Sequence, residues 1–179
     1  MSLIAEPAGY VMQFQDEMVP IRRMRWDQRT HQKDFWTDTG GLSRRLALCA
    51  RRAAIFEQLH TRGLVYGDLN DRNVLVSDDA GYDAVTLIDL DNLRYLGTPC
   101  PQVYLAPGFA APELWAPDRT PDLATDAFAL AVLVFQTITL VHPFKDGDAA
   151  RCAAVTSADY KKAQRCDLPS VLDDGERNA

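Results

Sequence analysis

Oxygen-bearing side chains gather in one stretch of this chain. Leu64-Val65-Tyr66-Gly67-Asp68-Leu69-Asn70-Asp71-Arg72-Asn73 leads into the apolar run Val74 to Val76, and a second run, Val85 to Ile88, leads out into Asp89-Leu90-Asp91. The residues Ser77-Asp78-Asp79-Ala80-Gly81 that follow the first run predict a hairpin with a glycine-containing loop. Asp68 and Asn73 then stand at its entrance, Asp89 and Asp91 at its exit. Such a cluster suits Mg²⁺, a hard cation that takes oxygen ligands and is usually held by one or two carboxylates plus substrate phosphates. One further carboxylate can accept a proton from an attacking hydroxyl.

The rest of the sequence supplies elements to position these groups. Tyr10-Val11-Met12-Gln13-Phe14-Gln15 alternates apolar and polar residues as a strand does, ended by Asp16-Glu17 and Pro20. Ile21 to Lys33 is arginine-rich without accompanying aromatic or glycine pattern, and reads as a solvated basic face. Gly40-Gly41 breaks the chain before a helix over Leu42 to Thr61. Leu46, Cys49, Ala50, Ala53, Ile55, Phe56 and Leu59 would form its apolar face, with Arg44, Arg45, Arg51 and Arg52 largely opposite and Gly63 ending it. His60 in its last turn is favoured as a cation or cap rather than a catalyst. Leu96 to Pro107 reads as an extended loop, Pro112-Glu113-Leu114-Trp115 as a short helix, and Pro121 to Val141 as a long helix apolar nearly all round. Asp126 within that helix needs partners, because a buried unpaired carboxylate is costly.

At these residues the chain resembles the eukaryotic-type protein kinase superfamily. Tyr66-Gly67-Asp68 with Asn73 looks like the catalytic loop, Asp89-Leu90-Asp91 like the magnesium-binding tripeptide, and Ala111-Pro112-Glu113 like the close of the activation segment. Asp126 to Leu133, followed by His142-Pro143-Phe144, resembles the central helix of the C-lobe and the tripeptide after it. The resemblance implies that Asp68 orients the acceptor hydroxyl, that Asn73 and Asp89 hold Mg²⁺, and that Asp126 accepts hydrogen bonds from the backbone near Tyr66 and Gly67. Asp91 would assist as an outer-shell ligand of the metal. It implies ATP as the second cofactor, with Met12 behind the adenine, the backbone near Gln15 bonded to it and Leu75 beneath it. Thr98 and Tyr104 are candidate phosphate acceptors, although without a basic cluster beside them the loop reads first as rigid, proline-held and unmodified, and Glu113 would pair with Arg151 or Arg165.

The expected fold is mainly α with a small β component (α+β): a kinase-like C-lobe and hinge strand over residues 9–144, then a C-terminal helix and polar tail over 145–179. With the hinge at residues 10–15, the lead Ile4 to Ala8 has no room for a glycine-rich phosphate loop, its partner lysine or the helix glutamate, so most of the N-lobe is expected to be absent. The sequence departs from the family pattern at four places. Tyr66-Gly67 replaces His-Arg, Asn70 replaces the phosphate-neutralising lysine, Asp91 replaces the glycine of the tripeptide, and Ala106 stands where Ser/Thr kinases carry a threonine. Gly67-Asp68-Leu69-Asn70 with Ile88-Asp89-Leu90-Asp91 also resembles aminoglycoside and choline phosphotransferases, and the combination looks most like atypical bacterial protein-kinase-like proteins.

The implied function is a protein-kinase-like domain related to ATP-dependent Ser/Thr phosphotransferases, incomplete or inactive as this chain. The alternatives are a pseudokinase scaffold that binds a protein partner and a small-molecule phosphotransferase. A protein substrate or partner fits the family. At 179 residues and 47% hydrophobic content the chain can bury a sizeable core, and a formal net charge of -6 argues against nonspecific nucleic-acid binding. The four cysteines are scattered without a C-x-x-C pair, as in reduced cytoplasmic proteins. The most membrane-like segment, Ala127 to Val141, is too short to span, and the start lacks a basic n-region and apolar h-region.

Overall fold

A computed structural model of the protein describes residues 15–24, 35–100, 105–116 and 118–144, residues 35 and 36 as backbone only. In chain order its elements are β1 (Met18–Pro20), a 3₁₀ turn (Ile21–Met24), α1 (Phe35–Asp38), α2 (Gly41–Thr61), β2 (Leu64–Val65), β3 (Val74–Ser77), β4 (Val85–Leu87), β5 (Arg94–Tyr95), a second 3₁₀ turn (Pro112–Trp115) and α3 (Leu123–Thr139). Two long helices and two small antiparallel sheets make an α+β fold, and no helix among the described residues is long and apolar enough to cross a membrane.

The expected hairpin forms. β3 pairs β4 antiparallel with Val74 opposite Leu87 and Val76 opposite Val85, and the alternation along β3 turns Val74 and Val76 into the core while Leu75 and Ser77 stay half-exposed. β1 adds to the other edge of β3, and β2 with β5 forms a separate two-stranded ribbon.

The strand expected over Tyr10 to Gln15 falls almost wholly on residues that are not described. Residues 10–14, Met12 among them, lie outside the described residues, and the first strand among the described residues, β1, follows Asp16-Glu17. Pro20, read as a terminator, belongs to β1 because β1 is an edge strand, where a residue without an N–H leaves no ladder bond unmade.

The face of α2 also differs from expectation. Leu46 is 49% exposed and Ala50 and Ala53 are exposed, whereas Arg44, Arg45 and Arg52 are buried beside Leu48, Cys49 and Phe56. Arg44 is committed to backbone carbonyls: its Nε donates to Tyr82 O at 2.8 Å, Nη1 to Thr39 O at 3.2 Å and Nη2 to Ser77 O at 2.6 Å. These bonds tie α2 to the β3–β4 hairpin. Gly40, at φ 83°, lets the chain enter beneath that arginine; a Cβ there would lie 2.3 Å from Arg44 Cδ and 2.9 Å from Ala80 O.

α3 starts on a reciprocal cap, with Asp122 Oδ1 accepting from Thr125 N at 2.9 Å and Thr125 Oγ1 accepting from Asp122 N at 2.8 Å. It ends at Leu140, which takes a left-handed φ of 65°. Between these points α3 packs Ala129, Val132 and Leu133 into a core shared with Leu48, Phe56 and Tyr66. Arg52 crosses from α2 to donate to Thr137 Oγ1 at 2.9 Å and to Cys49 Sγ at 3.0 Å. It is fully buried, no carboxylate among the described residues pairs with it, its Nε and Nη1 have no hydrogen-bond partner, and burial pushes its pKa down.

Arg44 and Arg52 should therefore respond oppositely to substitution. Arg44→Met strands three carbonyls and is expected to cost about 2 to 3 kcal/mol. Arg52→Met removes a buried cation without a counter-ion and leaves Thr137 its own bond to Leu133 O. It is expected to leave stability unchanged or raise it by about 1 to 4 kcal/mol. Urea denaturation of both variants checks the pair; a loss at Arg52 as large as that at Arg44 would contradict it.

Candidate active site

The site is built outward from Asp126, in the first turn of α3. Its carboxylate is 2% exposed and accepts from the backbone N–H of Tyr66 at 2.7 Å and of Gly67 at 2.9 Å. This is the arrangement that the resemblance implied. His60 Nε2, at the end of α2, lies 3.3 Å from Asp126 Oδ2 and donates to it when protonated at that nitrogen. A buried carboxylate so supplied with donors no longer bears its desolvation cost alone. Gly67 takes φ 82°, so the chain turns sharply into Asp68.

Asp68 is held by two amides that follow it. Asn70 Nδ2 donates to Asp68 O at 3.0 Å and Oδ1 at 3.2 Å; Asn73 Nδ2 donates to Asp68 O and Oδ2, both at 3.1 Å. Asn70 Oδ1 accepts from Arg72 N at 2.9 Å, which folds the loop back on itself. Burial raises the Asp68 pKa, the two amide bonds oppose that rise, and the negative charge of Asp89 adds to it. Asn70, which stands in place of the expected lysine, fixes the carboxylate's orientation.

Asp89 follows β4 at a left-handed φ of 58°, exposed to solvent. The residue before it is pinned from both sides: Ile88 N donates to Asn73 O at 3.0 Å, and the Tyr66 hydroxyl donates to Ile88 O. Burial, then the carboxylates of Asp68, Asp89 and Asp126, push the Tyr66 phenol well above its usual pKa, so it remains a donor. Arg94 on β5 completes the frame by donating from Nη2 to Pro121 O at 2.8 Å, just before α3. Nothing in the sequence pattern marked Arg94 or the His60 bond.

Asp68, Asn73 and Asp89 line one cleft of about 450 Å³, together with Leu105, Ala106 and Phe109. The donor set fits a hard divalent cation. Asn73 spends its NH₂ on Asp68 and leaves its amide oxygen without a partner, and no described residue bonds the Asp89 carboxylate. Among the described residues no three His, Cys, Asp or Glu side chains converge, so a cation here would draw its remaining ligands from water and substrate oxygens. Leu75 does not line this cleft: it sits on the half-exposed face of β3, opposite Thr86. Gln15, half-buried, begins the described residues, and Met12, Tyr104, Arg151 and Arg165 lie outside them.

No protein-family model matches the chain. The sequence is similar to serine/threonine-protein kinase SBK2 of Rattus norvegicus, 39% identical over 100 residues, covering 53% of this chain and 27% of that protein. It is similar to a probable SapB synthase of Streptomyces coelicolor, 32% identical over 114 residues, covering 62% of this chain and 11% of the synthase. The cGMP-dependent protein kinase, isozyme 1, of Drosophila melanogaster is 32% identical over 95 residues, covering 52% of this chain and 12% of the kinase. About half of this chain is kinase-like in sequence. The chain spans about a quarter of the length of SBK2 and about a tenth of the other two.

Removing the Asp126 carboxylate leaves two buried backbone N–H groups without an acceptor. Asp126→Ala is expected to cost about 3 to 5 kcal/mol, and Asp126→Asn, which keeps one acceptor oxygen, distinctly less. Chemical denaturation of both variants, with amide hydrogen exchange at Tyr66 and Gly67, checks the assignment; equal losses, or unchanged protection of those amides in Asp126→Ala, would contradict it.

Proposed function

We propose that residues 9–144 are the C-lobe and hinge of a protein-kinase-like domain related to ATP-dependent Ser/Thr phosphotransferases, most akin to the atypical bacterial members, with 145–179 an appended segment. The observation that carries the reading is the Asn73 amide: bonded to Asp68 through its nitrogen, it offers its oxygen to the cleft that Asp89 also lines. Asp68 is the residue that orients an acceptor hydroxyl and takes its proton. Asn73 and Asp89 are the residues that would hold Mg²⁺, which when bound neutralises charge on the phosphates of ATP. Leu75, with Met12 and the backbone near Gln15, belongs in this reading to the adenine contacts. A protein substrate and a cytoplasmic setting go with it.

A second reading, a pseudokinase that binds nucleotide and a protein partner without transfer, draws support from Asn70. Its amide is used up on Asp68 and supplies no positive charge to a phosphate in flight.

Two variants separate the roles. Asp89→Asn is expected to abolish Mg²⁺-dependent ATP binding, measured by calorimetry, whereas Asp68→Asn should bind within a few-fold of the parent. If the chain transfers phosphate, Asp68→Asn should lower the rate by about 10² to 10⁴. The raised Asp68 pKa sets the pH limb: as pH falls through a value above the ordinary carboxylate value of 3.8, the base is protonated and the rate drops. ATP binding that ignores both Mg²⁺ and Asp89 would contradict the assignment, and Mg²⁺-dependent binding without any transfer would select the pseudokinase.

A further inference from the structure

The cleft contains one basic side chain among its described lining residues, and the proposed chemistry does not use it. Arg72 lies between Asp71 and the proposed metal ligand Asn73, is exposed, and borders the cleft. Its backbone is fixed by the bond from Arg72 N to Asn70 Oδ1 at 2.9 Å, while its guanidinium makes no hydrogen bond or ion pair with a described residue. That makes it unlike Arg44, whose donors are spent on carbonyls, and unlike Arg51, which pairs with Asp83 at 2.8 Å.

The carboxylates around it are each engaged or assigned. Asp71 is 7% exposed, and its Oδ2 accepts from Gln136 Nε2 at 3.3 Å inside the core. Asp68 is held by Asn70 and Asn73, and Asp89 faces the proposed cation. The free charge that an acceptor meets at this edge of the cleft is therefore positive. The turn closed by Asn70 sets Arg72 only four residues after Asp68 on one folded loop, so a group bound by the guanidinium lies close to a hydroxyl presented to Asp68.

We infer that Arg72 is a specificity-determining residue that selects acceptors carrying an acidic side chain beside the hydroxyl. This rests on the phosphotransfer reading for the identity of Asp68, and it adds the charge class of the acceptor. Guanidinium and carboxylate form charge-assisted, often bidentate hydrogen bonds, which an exposed, backbone-fixed arginine can offer without breaking an existing contact.

The test uses the full chain, Mg²⁺ and a non-hydrolysable ATP analogue, with three serine peptides that differ only in having Glu, Gln or Lys on either side of the serine. Calorimetry should rank them Glu, Gln, Lys, with the Glu peptide about tenfold tighter than the Lys peptide. Arg72→Ala should level the three affinities and Arg72→Glu should invert the order, both with an unchanged melting temperature. A ranking that survives both substitutions overturns the inference, as does a failure of all three peptides to bind. Weakened binding of the ATP analogue in Arg72→Ala, with the peptide ranking intact, also overturns it and assigns the guanidinium to a nucleotide phosphate. An Arg72-dependent ranking without phosphate transfer from ATP upholds the inference and removes the phosphotransfer reading.

Discussion

The carboxylate of Asp126 is the constraint on which the site depends. A loop carrying Asp68, Asn70 and Asn73 cannot hold its shape by hydrophobic contact alone, because its polar side chains line an open cleft. The structure anchors it from below instead, with a buried side chain at the start of α3 taking the N–H groups of Tyr66 and Gly67. Placing that carboxylate in a first helical turn also sets it in the favourable field of the helix N-terminus. From this anchor the order passes outward through the Tyr66 ring, whose hydroxyl holds Ile88 O, to Asp89 in its left-handed conformation.

Charge placement follows the same logic. The negative charge of Asp89 adds to the cost of ionising Asp68, a tension that a divalent cation at the cleft would relieve. The arginines of α2 play no part in that relief. Arg44 braces the hairpin through carbonyls, Arg51 pairs with Asp83 at the surface, and Arg52 lies in the core. Among the described residues lining the cleft, positive charge is left to Arg72, while Arg94 supports the frame from β5.

The hairpin was legible from the sequence because two short β-branched runs on either side of a glycine-containing loop admit few alternatives, and its register carried Asn73 and Asp89 to one end. Asp126 was legible because a lone carboxylate in an apolar helix demands donors. The face of α2 was not. Alanines and a leucine at helical spacing outvoted arginines whose aliphatic stems can line a core while their heads find carbonyls, and only tertiary contacts reveal that choice. β1 was not legible because it is three residues long and ends in Pro20, which is tolerated only once β1 is known to be an edge. The amide bonds that orient Asp68 depend on side-chain rotamers and left no periodic signature.

The central claim is that Asn73 and Asp89 share one cation with ATP. Paramagnetic broadening by Mn²⁺ in the presence of ATP reads this directly in an amide NMR spectrum. The account predicts that the side-chain amide of Asn73 and the backbone amides of Ile88 and Asp89 vanish at substoichiometric Mn²⁺, while those of Thr61 and Thr139, at the ends of α2 and α3, persist. Broadening spread evenly over the surface carboxylates, with the Asn73 side chain still visible, would contradict it.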